Sequence, residues 1–161
     1  MANLLSLAQG FPSRTVEAGE VLLVDGAPVD ALYVLLEGAL RIEKGGALIA
    51  RVTEAGTCVG EMSLLLGSAP TADVVASERS VVAVIENAAE MLEGESGLPV
   101  VLARLLASRL HVMTGYLADI KIQYADHEGG LGMVDVVLDS LMRSSGTRSQ
   151  LGSVRDPEPE Y

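Results

Sequence analysis

Short apolar runs separated by turn residues fill the first half of the chain, between residues 15 and 86. The pair Gly45-Gly46 stands between two of these runs and suits the positive φ angles of a tight hairpin. Strands this short and so regularly interrupted are typical of an antiparallel sandwich or jelly roll, and not of alternating strand–helix units. The predicted strands are residues 21–24, 31–37, 40–44, 48–53, 57–59, 72–76 and 80–85.

After residue 86 the apolar positions recur every three or four residues, which predicts helices. Asn87 is placed to cap a short helix over residues 88–92, and Pro99 suits the first turn of a long helix over residues 99–125. At about 1.5 Å per residue the long helix measures about 40 Å, which is more than a small β-domain needs as a cover. A third helix is predicted over residues 131–143.

One face of the long helix carries a seam of apolar residues with the spacing of a coiled coil. Two interpretations of this surplus apolar surface stay open. In one, the whole helix packs against its own domain; in the other, which we favour, the seam pairs with the same helix of a second copy in a homodimer. The seam consists of Leu106, Leu110, Met113, Leu117 and Ile120.

These patterns divide the chain into four segments. We expect an N-terminal helical segment over residues 1–14, a β-roll over residues 15–93, dimerising C-terminal helices over residues 94–143 and a disordered acidic tail over residues 144–161. The tail is polar and ends in Asp-Pro-Glu-Pro-Glu-Tyr, a composition that buries too little apolar surface to fold.

Composition narrows the classes of function. With 161 residues, of which 49% are hydrophobic, the chain can bury a single core. The net charge of -11 argues against nucleic-acid binding, which needs clustered Lys and Arg. The single cysteine, Cys58, is expected to be a buried, inert thiol in a reducing compartment. The N-terminus lacks the pattern of a signal peptide and no stretch of about 18 apolar residues could span a bilayer, so we expect a cytoplasmic protein without a membrane partner.

No pattern of catalytic or metal-binding residues stands out. The two histidines, His111 and His127, lack a second ligand at metal spacing. The run Gly94-Glu95-Ser96-Gly97-Leu98 approaches a nucleophile elbow, but Leu98 stands where a glycine is required. We therefore expect no catalytic residue, no metal and no cofactor, and a protein that is not an enzyme.

Residues 60–72 are the most informative stretch of the sequence. They leave a predicted strand at Gly60-Glu61, pass through a short helical turn and enter the next strand. The first backbone amides of such a turn have no acceptor within it, so they point outward and favour an anion. An alternative interpretation is that Gly60 only permits the turn and Glu61 only complements the helix dipole.

With Gly19, Gly38 and Gly56 in order before it, this stretch resembles the phosphate-binding cassette of cyclic nucleotide-binding domains of the catabolite-activator (cAMP receptor) type. The resemblance covers residues 15–143. It implies a mainly β fold with α-helices: an eight-stranded antiparallel β-roll, or jelly roll, followed by a short helix, a long dimerisation helix and a further C-terminal helix. It also implies a non-enzymatic sensor in which binding of a small anionic ligand moves the dimer helix.

The resemblance further implies cAMP or cGMP as the ligand and roles for particular residues. The Gly-Glu pair brings backbone amides and a carboxylate to the ribose, and the end of the cassette holds the cyclic phosphate. The implied ligand-binding residues are Gly60, Glu61, Met62, Ser63, Thr71 and Ala72, with Arg109 and Thr114 on the base side of the pocket.

Two departures from the family pattern open alternatives. Pro70 stands where the family has the arginine that holds the cyclic phosphate, and proline offers neither a charge nor an N–H. After residues 131–143 the sequence shows no pattern for the DNA-reading helix-turn-helix of the family's transcription factors, so no DNA partner is expected. The alternatives are a pocket used for another small ligand and a degenerate, ligand-free dimeric scaffold or protein-interaction module.

Overall fold

A computed structural model describes residues 3–124 and 132–142. It confirms the predicted fold class: eight antiparallel strands form two sheets and helices follow them. In chain order the elements are α1 (Leu4–Ala8), β1 (Ser13–Val16), β2 (Val21–Leu23), β3 (Ala31–Glu37), β4 (Leu40–Lys44), β5 (Ala47–Val52), β6 (Cys58–Val59), α2 (Glu61–Leu66), β7 (Asp73–Ala76), β8 (Ser80–Glu86), α3 (Ala88–Glu93), α4 (Leu98–Gln123) and α5 (Gly132–Met142).

The two sheets enclose the first of two apolar cores. The first sheet has the order β1-β8-β3-β6 and the second β2-β7-β4-β5. Alternate residues of a strand point to opposite faces of its sheet. In β3, Tyr33 and Leu35 point between the sheets, whereas Leu32 and Val34 point to the outer face of the first sheet, which helices cover. The buried residues between the sheets are Val16, Leu22, Leu23, Leu35, Leu40, Val52, Val59, Val74, Ala76 and Val82.

The second core lies on the outer face of the first sheet, where α1, α3 and the start of α4 cover it. Of the whole length of α4, only Leu98, Val101 and Leu102 are buried, so the helix is anchored by its first turns. Cys58 is buried in this core, as predicted. The buried members are Leu4, Ala8, Leu32, Val34, Cys58, Ala83, Ile85, Ala88, Leu98, Val101 and Leu102.

The largest difference from the predicted elements lies near the N-terminus. Strand β1 begins at Ser13, inside the segment expected to be helical, and the described helix there is limited to α1. Three of the four β1 residues are exposed and only Val16 is buried, so the sequence carries almost no apolar alternation that could reveal the strand. Its pairing with β8 supplies the order instead.

Asn87 departs from its predicted role as a capping residue. It does precede α3, but its backbone is left-handed, with φ 51°, and its side chain makes no capping hydrogen bond. A capping side chain reaches the helix amides from an extended backbone, so this conformation explains the lost bond. Asn is among the residues that tolerate the left-handed region, which accounts for its presence at this turn.

The chain divides into two compact units, Met1–Ser108 and Arg109–Tyr161. The first holds the β-roll, α1, α2, α3 and the start of α4; the second holds the remainder of α4 and α5. Within the second unit, Lys121 of α4 forms an ion pair with Asp135 of α5. The acidic tail predicted for residues 144–161 lies outside the described residues, as do His127 and the predicted helix ends at residues 125, 131 and 143.

Helix α4 meets the length and composition of a membrane span, with a mean hydropathy of 1.2 over its most apolar window. Arg104 and Arg109 interrupt this helix, so it contains no unbroken run of about 18 apolar residues. Length and composition do not separate a membrane span from a helix that pairs with another helix, since both carry more apolar surface than one domain covers. The match is therefore weak evidence for a membrane.

Candidate functional site

The cassette connects the edge of the first sheet to the second sheet. Strand β6 ends at Val59, Gly60 makes the turn, and α2 runs until Gly67 ends it in a left-handed conformation. Gly60 has φ 96° and provides no side chain to cap the helix. The first amides of α2 therefore receive no side-chain cap from Gly60, and their outward direction stays a prediction.

Gly60 is also required by the packing around it. A Cβ added here would lie 3.1 Å from the carbonyl oxygen of Ala31 and 3.6 Å from side-chain carbons of Leu23 and Val29. Together with the positive φ, this contact leaves room for glycine alone without local rearrangement. The cassette consequently begins in close contact with the first residue of β3.

Helix α2 is amphipathic in the reverse of the usual sense. Its buried residues are polar: Glu61 is only 4% exposed and Ser63 is 9% exposed. Glu61 is the only buried carboxylate among the described residues. A carboxylate is costly to bury unless polar groups pair with it. Met62, which the resemblance includes in the binding site, instead faces solvent with 61% of its surface exposed.

The exit of the cassette is tied to the turn between β2 and β3. The backbone N–H of Gly26 donates to the carbonyl of Pro70 over 2.9 Å, and the N–H of Asp25 donates to Oδ1 of Asp73 over 2.7 Å. Pro70 is buried, so the residue that replaces the family's arginine is part of the packing. Beyond Pro70, Thr71 is exposed and Ala72 is half-buried.

The arginines that could replace the missing one are engaged or lie in other elements. Arg79 is three-quarters exposed and pairs with Glu17, with 3.5 Å between Nε and Oε1. Arg41 forms an ion pair with Glu43 and donates to the carbonyl of Ala76 over 3.1 Å. Arg51 lies opposite Arg41 on edge strand β5. None of these contacts joins an arginine to residues 60–72.

Arg109 and Thr114 belong to the second unit, whereas residues 60–72 lie in the first. Both side chains are half-buried along α4. Their place on the base side of a pocket stays a prediction that follows from the resemblance.

The sequence around the cassette is almost free of positive charge. Between residues 52 and 103, Arg79 is the only basic residue. The same stretch contains the acidic residues Glu54, Glu61, Asp73, Glu78, Glu86, Glu90, Glu93 and Glu95. An anion at the cassette would therefore rely on backbone amides and hydroxyl groups, since no neighbouring cation in this stretch offsets the acidic groups.

A groove of about 450 Å³ lies elsewhere in the first unit and was not predicted. It opens between α1, the turn before β6 and the start of α4. Gly56 in that turn has φ 90°, and a Cβ there would lie 3.2 Å from Cβ of Leu5, so the turn and α1 approach closely. The lining residues are Asn3, Leu4, Leu5, Glu54, Ala55, Gly56, Thr57, Val101, Arg104 and Leu105, none of which belongs to the cassette.

No metal centre is found in the described part of the chain. Within residues 3–124 and 132–142, no group of three or more His, Cys, Asp or Glu side chains could hold a metal ion.

Comparison with protein families decides what this β-roll is. The family model described as cyclic nucleotide-binding domain matches residues 13–91. Residues 13–91, just under half of the chain, are therefore similar to cyclic nucleotide-binding domains. The match begins at the residue where β1 begins and ends within α3. The resemblance stated from the cassette and the glycine turns is thereby confirmed for the β-roll.

Two kinases are similar in sequence to part of this chain. A cGMP-dependent protein kinase of Caenorhabditis elegans, egl-4, is 39% identical over 74 residues, which are 46% of this chain and 9% of that kinase. The matched segment is thus less than a tenth of the curated relative. The same kinase of Caenorhabditis briggsae is 37% identical over 74 residues, which are 46% of this chain and 10% of that protein.

Two solved structures, one of them a catabolite activator protein, have the same fold as this chain. The catabolite activator protein of Thermus thermophilus superposes with a TM-score of 0.54 at 27% identity, covering 74% of this chain and 57% of that one. The N-terminal domain of a transcriptional regulator from Streptomyces coelicolor superposes with a TM-score of 0.53 at 23% identity, covering 72% of this chain and 86% of that one. The second likeness shows the fold alone.

Proposed function

We propose that the chain is a non-enzymatic sensor module, in which a small anionic ligand, cAMP or cGMP, binds the cassette and shifts helix α4 within a homodimer. One observation carries the proposal. Glu61 is buried at the start of α2, directly after the positive-φ turn at Gly60, inside a β-roll that matches the cyclic nucleotide-binding family. This combination supports a role for Gly60 and Glu61 in binding the ribose.

Each accessible group of the cassette has a role in this proposal. The amides of Glu61, Met62 and Ser63 face the ligand, and the Glu61 carboxylate accepts a hydrogen bond from a ribose hydroxyl. The Thr71 hydroxyl and the Ala72 amide donate to the phosphate. Arg109 and Thr114 contact the base.

The absence of an arginine at Pro70 sets the expected strength of binding. A hydrogen bond to a charged group is worth about 1.5–3 kcal/mol. Its loss weakens binding by about tenfold to 150-fold. If a site with the arginine binds at about 1 µM, we therefore expect a dissociation constant of about 10–150 µM here.

Movement of α4 is the proposed output. The helix is fixed at its first turns by Leu98, Val101 and Leu102, which pack in the same core as Cys58 of β6, the strand that leads into the cassette. A ligand that repositions the cassette therefore changes the packing at the base of α4, provided that it binds the two arrangements with different affinity. The seam that begins at Leu106 would transmit this change to the second copy.

A second candidate is a ligand-free scaffold that dimerises and binds a protein partner. The burial of Pro70 and the lack of basic residues around it favour this candidate, because both disfavour a bound phosphate. Both candidates are cytoplasmic, without a catalytic site and without a DNA or membrane partner.

Calorimetric titration with cAMP and cGMP tests the sensor and separates it from the scaffold. We expect saturable binding to the wild-type chain, at least about tenfold weaker binding to Glu61→Gln, and unchanged binding to the control Glu54→Gln, which alters an exposed carboxylate outside the cassette. Circular dichroism verifies that each variant is folded. Wild-type protein that fails to saturate at millimolar nucleotide contradicts the sensor.

Pro70→Arg is the matched gain-of-function variant. The hydrogen bond from Gly26 uses the Pro70 carbonyl, which an arginine at this position also provides. Stronger binding by Pro70→Arg than by the wild type supports the roles given to the cassette. Binding that arises only in Pro70→Arg identifies the wild-type pocket as degenerate and favours the scaffold.

A further inference from the structure

The outer side of α2 is an exposed apolar surface. Met62, Leu65 and Leu66 are 61%, 44% and 71% exposed, and their spacing of three and four residues places them on one side of the helix. We call these three residues the α2 patch. Single exposed apolar residues are common, but a cluster on one short element marks an interaction surface.

Three exposed carboxylates lie on the neighbouring helix α3 and at the end of the strand before it. Helix α3 contacts α2. Glu86 is the last residue of β8, and Glu90 and Glu93 lie three residues apart on α3. Glu86 is the register partner of Ala31, whose carbonyl lies against Gly60, so the row begins beside the start of the cassette. We call these three residues the α3 acidic row. No residue of α2 or α3 is basic.

We propose that the α2 patch and the α3 acidic row together dock a basic amphipathic helix of a partner protein. Apolar side chains of the partner cover the patch, and lysines or arginines along its flank meet the carboxylates. Charge complementarity selects this occupant. A second copy of the chain would bring its own acidic row against this one, and a membrane of anionic lipids would repel the row.

This docking surface does not depend on whether the cassette binds a nucleotide. Met62 has both roles, its amide in the proposed ligand site and its side chain in the patch, whereas Leu65, Leu66 and the acidic row are not among the residues proposed to contact the ligand; the variants below therefore leave Met62 unchanged. The nucleotide titrations therefore do not test the docking proposal, and the peptide experiments below do not test nucleotide binding.

A synthetic peptide can serve as the probe. The peptide is a helix of about 18 residues with leucines on one face and lysines on both flanks, and a scrambled peptide of identical composition is its control. Fluorescence anisotropy on the full chain should show at least about tenfold tighter binding of the amphipathic peptide than of the scrambled one. Equal affinities would overturn the proposal, because they show mere attraction of a cationic peptide to an acidic protein.

Matched pairs of variants locate the binding. Leu65→Gln/Leu66→Gln and Glu90→Lys/Glu93→Lys should each weaken the amphipathic peptide by at least about tenfold. The controls Leu48→Gln/Ile49→Gln, on exposed strand β5, and Glu37→Lys/Glu78→Lys, near the opposite end of β3, should change affinity by less than about twofold. Controls that weaken binding as much as the test variants contradict the surface.

Sedimentation and vesicle binding test the other occupants. Loss of a dimer in Leu65→Gln/Leu66→Gln would show that a second copy covers the patch, and this outcome overturns the proposal. Binding of wild-type protein to anionic vesicles that the same variant abolishes would overturn it as well.

Discussion

Ser80 shows how single residues fix the geometry of the β-roll. Ser80 is only 1% exposed. Its hydroxyl accepts a hydrogen bond from the N–H of Ala39 over 3.0 Å and donates one to the carbonyl of Glu78 over 2.9 Å. Gly38 packs directly over this residue with φ 91°; a Cβ at Gly38 would lie 2.3 Å from Oγ and 2.8 Å from Cα of Ser80. The turn between β3 and β4 is therefore locked onto the start of β8.

Gly38→Ala is predicted to destabilise the domain strongly. The left-handed conformation costs an L-residue about 1–2 kcal/mol, and overlap with the Ser80 backbone adds about 1–3 kcal/mol. Urea unfolding should show a loss of about 2–5 kcal/mol. The control is Gly19→Ala, which has φ 87° but no atom within 4 Å of the added Cβ, and it should lose only the conformational part. Equal losses for the two variants would refute the packing account.

At the residue scale the sequence predicts what depends on local chemistry. Gly60 and Glu61 could be recognised because a positive-φ turn and an acid in the first helical turn are local requirements. The burial of Pro70 could not, because it follows from contact with the turn at Gly26, far away in the sequence. The exposure of Met62 likewise depends on which side of α2 the sheets leave open.

Among the helices and strands, α4 exposes the most apolar surface, as judged from its exposed large side chains. Its apolar positions continue well past the buried first turns: Leu110 is 44% exposed, and Val112, Met113, Tyr116 and Ile122 are exposed as well. A single chain leaves this surface in water, at an unfavourable free energy that pairing with a second copy would remove. The seam, with gaps of four, three, four and three residues, is the part whose spacing suits a coiled coil.

Leu110→Glu is predicted to convert a dimer into a folded monomer. A charge placed in the seam would be buried unpaired in both copies, which raises the dissociation constant of the dimer by at least about a hundredfold. Sedimentation velocity measures the change. Val112→Glu, also on α4 but outside the seam, should leave the dimer intact. A wild-type chain that sediments as a monomer, or an equal effect of both variants, would contradict the seam.

Elements are predictable from sequence where packing imposes a pattern. Strands β3 and β4 were predicted with their observed bounds, because turns flank their apolar runs. Strand β1 was not, since its order comes from pairing with β8 and only Val16 reaches the core. The reverse amphipathicity of α2 also escapes sequence reasoning, which assumes that apolar residues point inward.

Charge is the property that unites the whole molecule. The net charge of -11 is visible in the sequence, but the close approach of α2 and α3 arises only on folding. The contact between α2 and α3 sets the acidic row beside the apolar patch. Separately, the scarcity of basic residues between residues 52 and 103 leaves backbone amides as the principal donors proposed at the cassette. The domain thus combines the fold of nucleotide-binding domains with an acidic environment that disfavours an anion. Whether the amides bind an anion strongly enough to overcome this repulsion distinguishes the sensor from the ligand-free scaffold.

A titration followed by amide chemical shifts of the isotopically labelled chain tests the central proposal most directly. With cAMP or cGMP at up to millimolar concentration, the account predicts saturable shifts of the amides of Gly60, Glu61, Met62, Ser63, Thr71 and Ala72, with smaller changes at the start of α4. The absence of shifts in these amides, or shifts confined to residues outside the cassette, would contradict it.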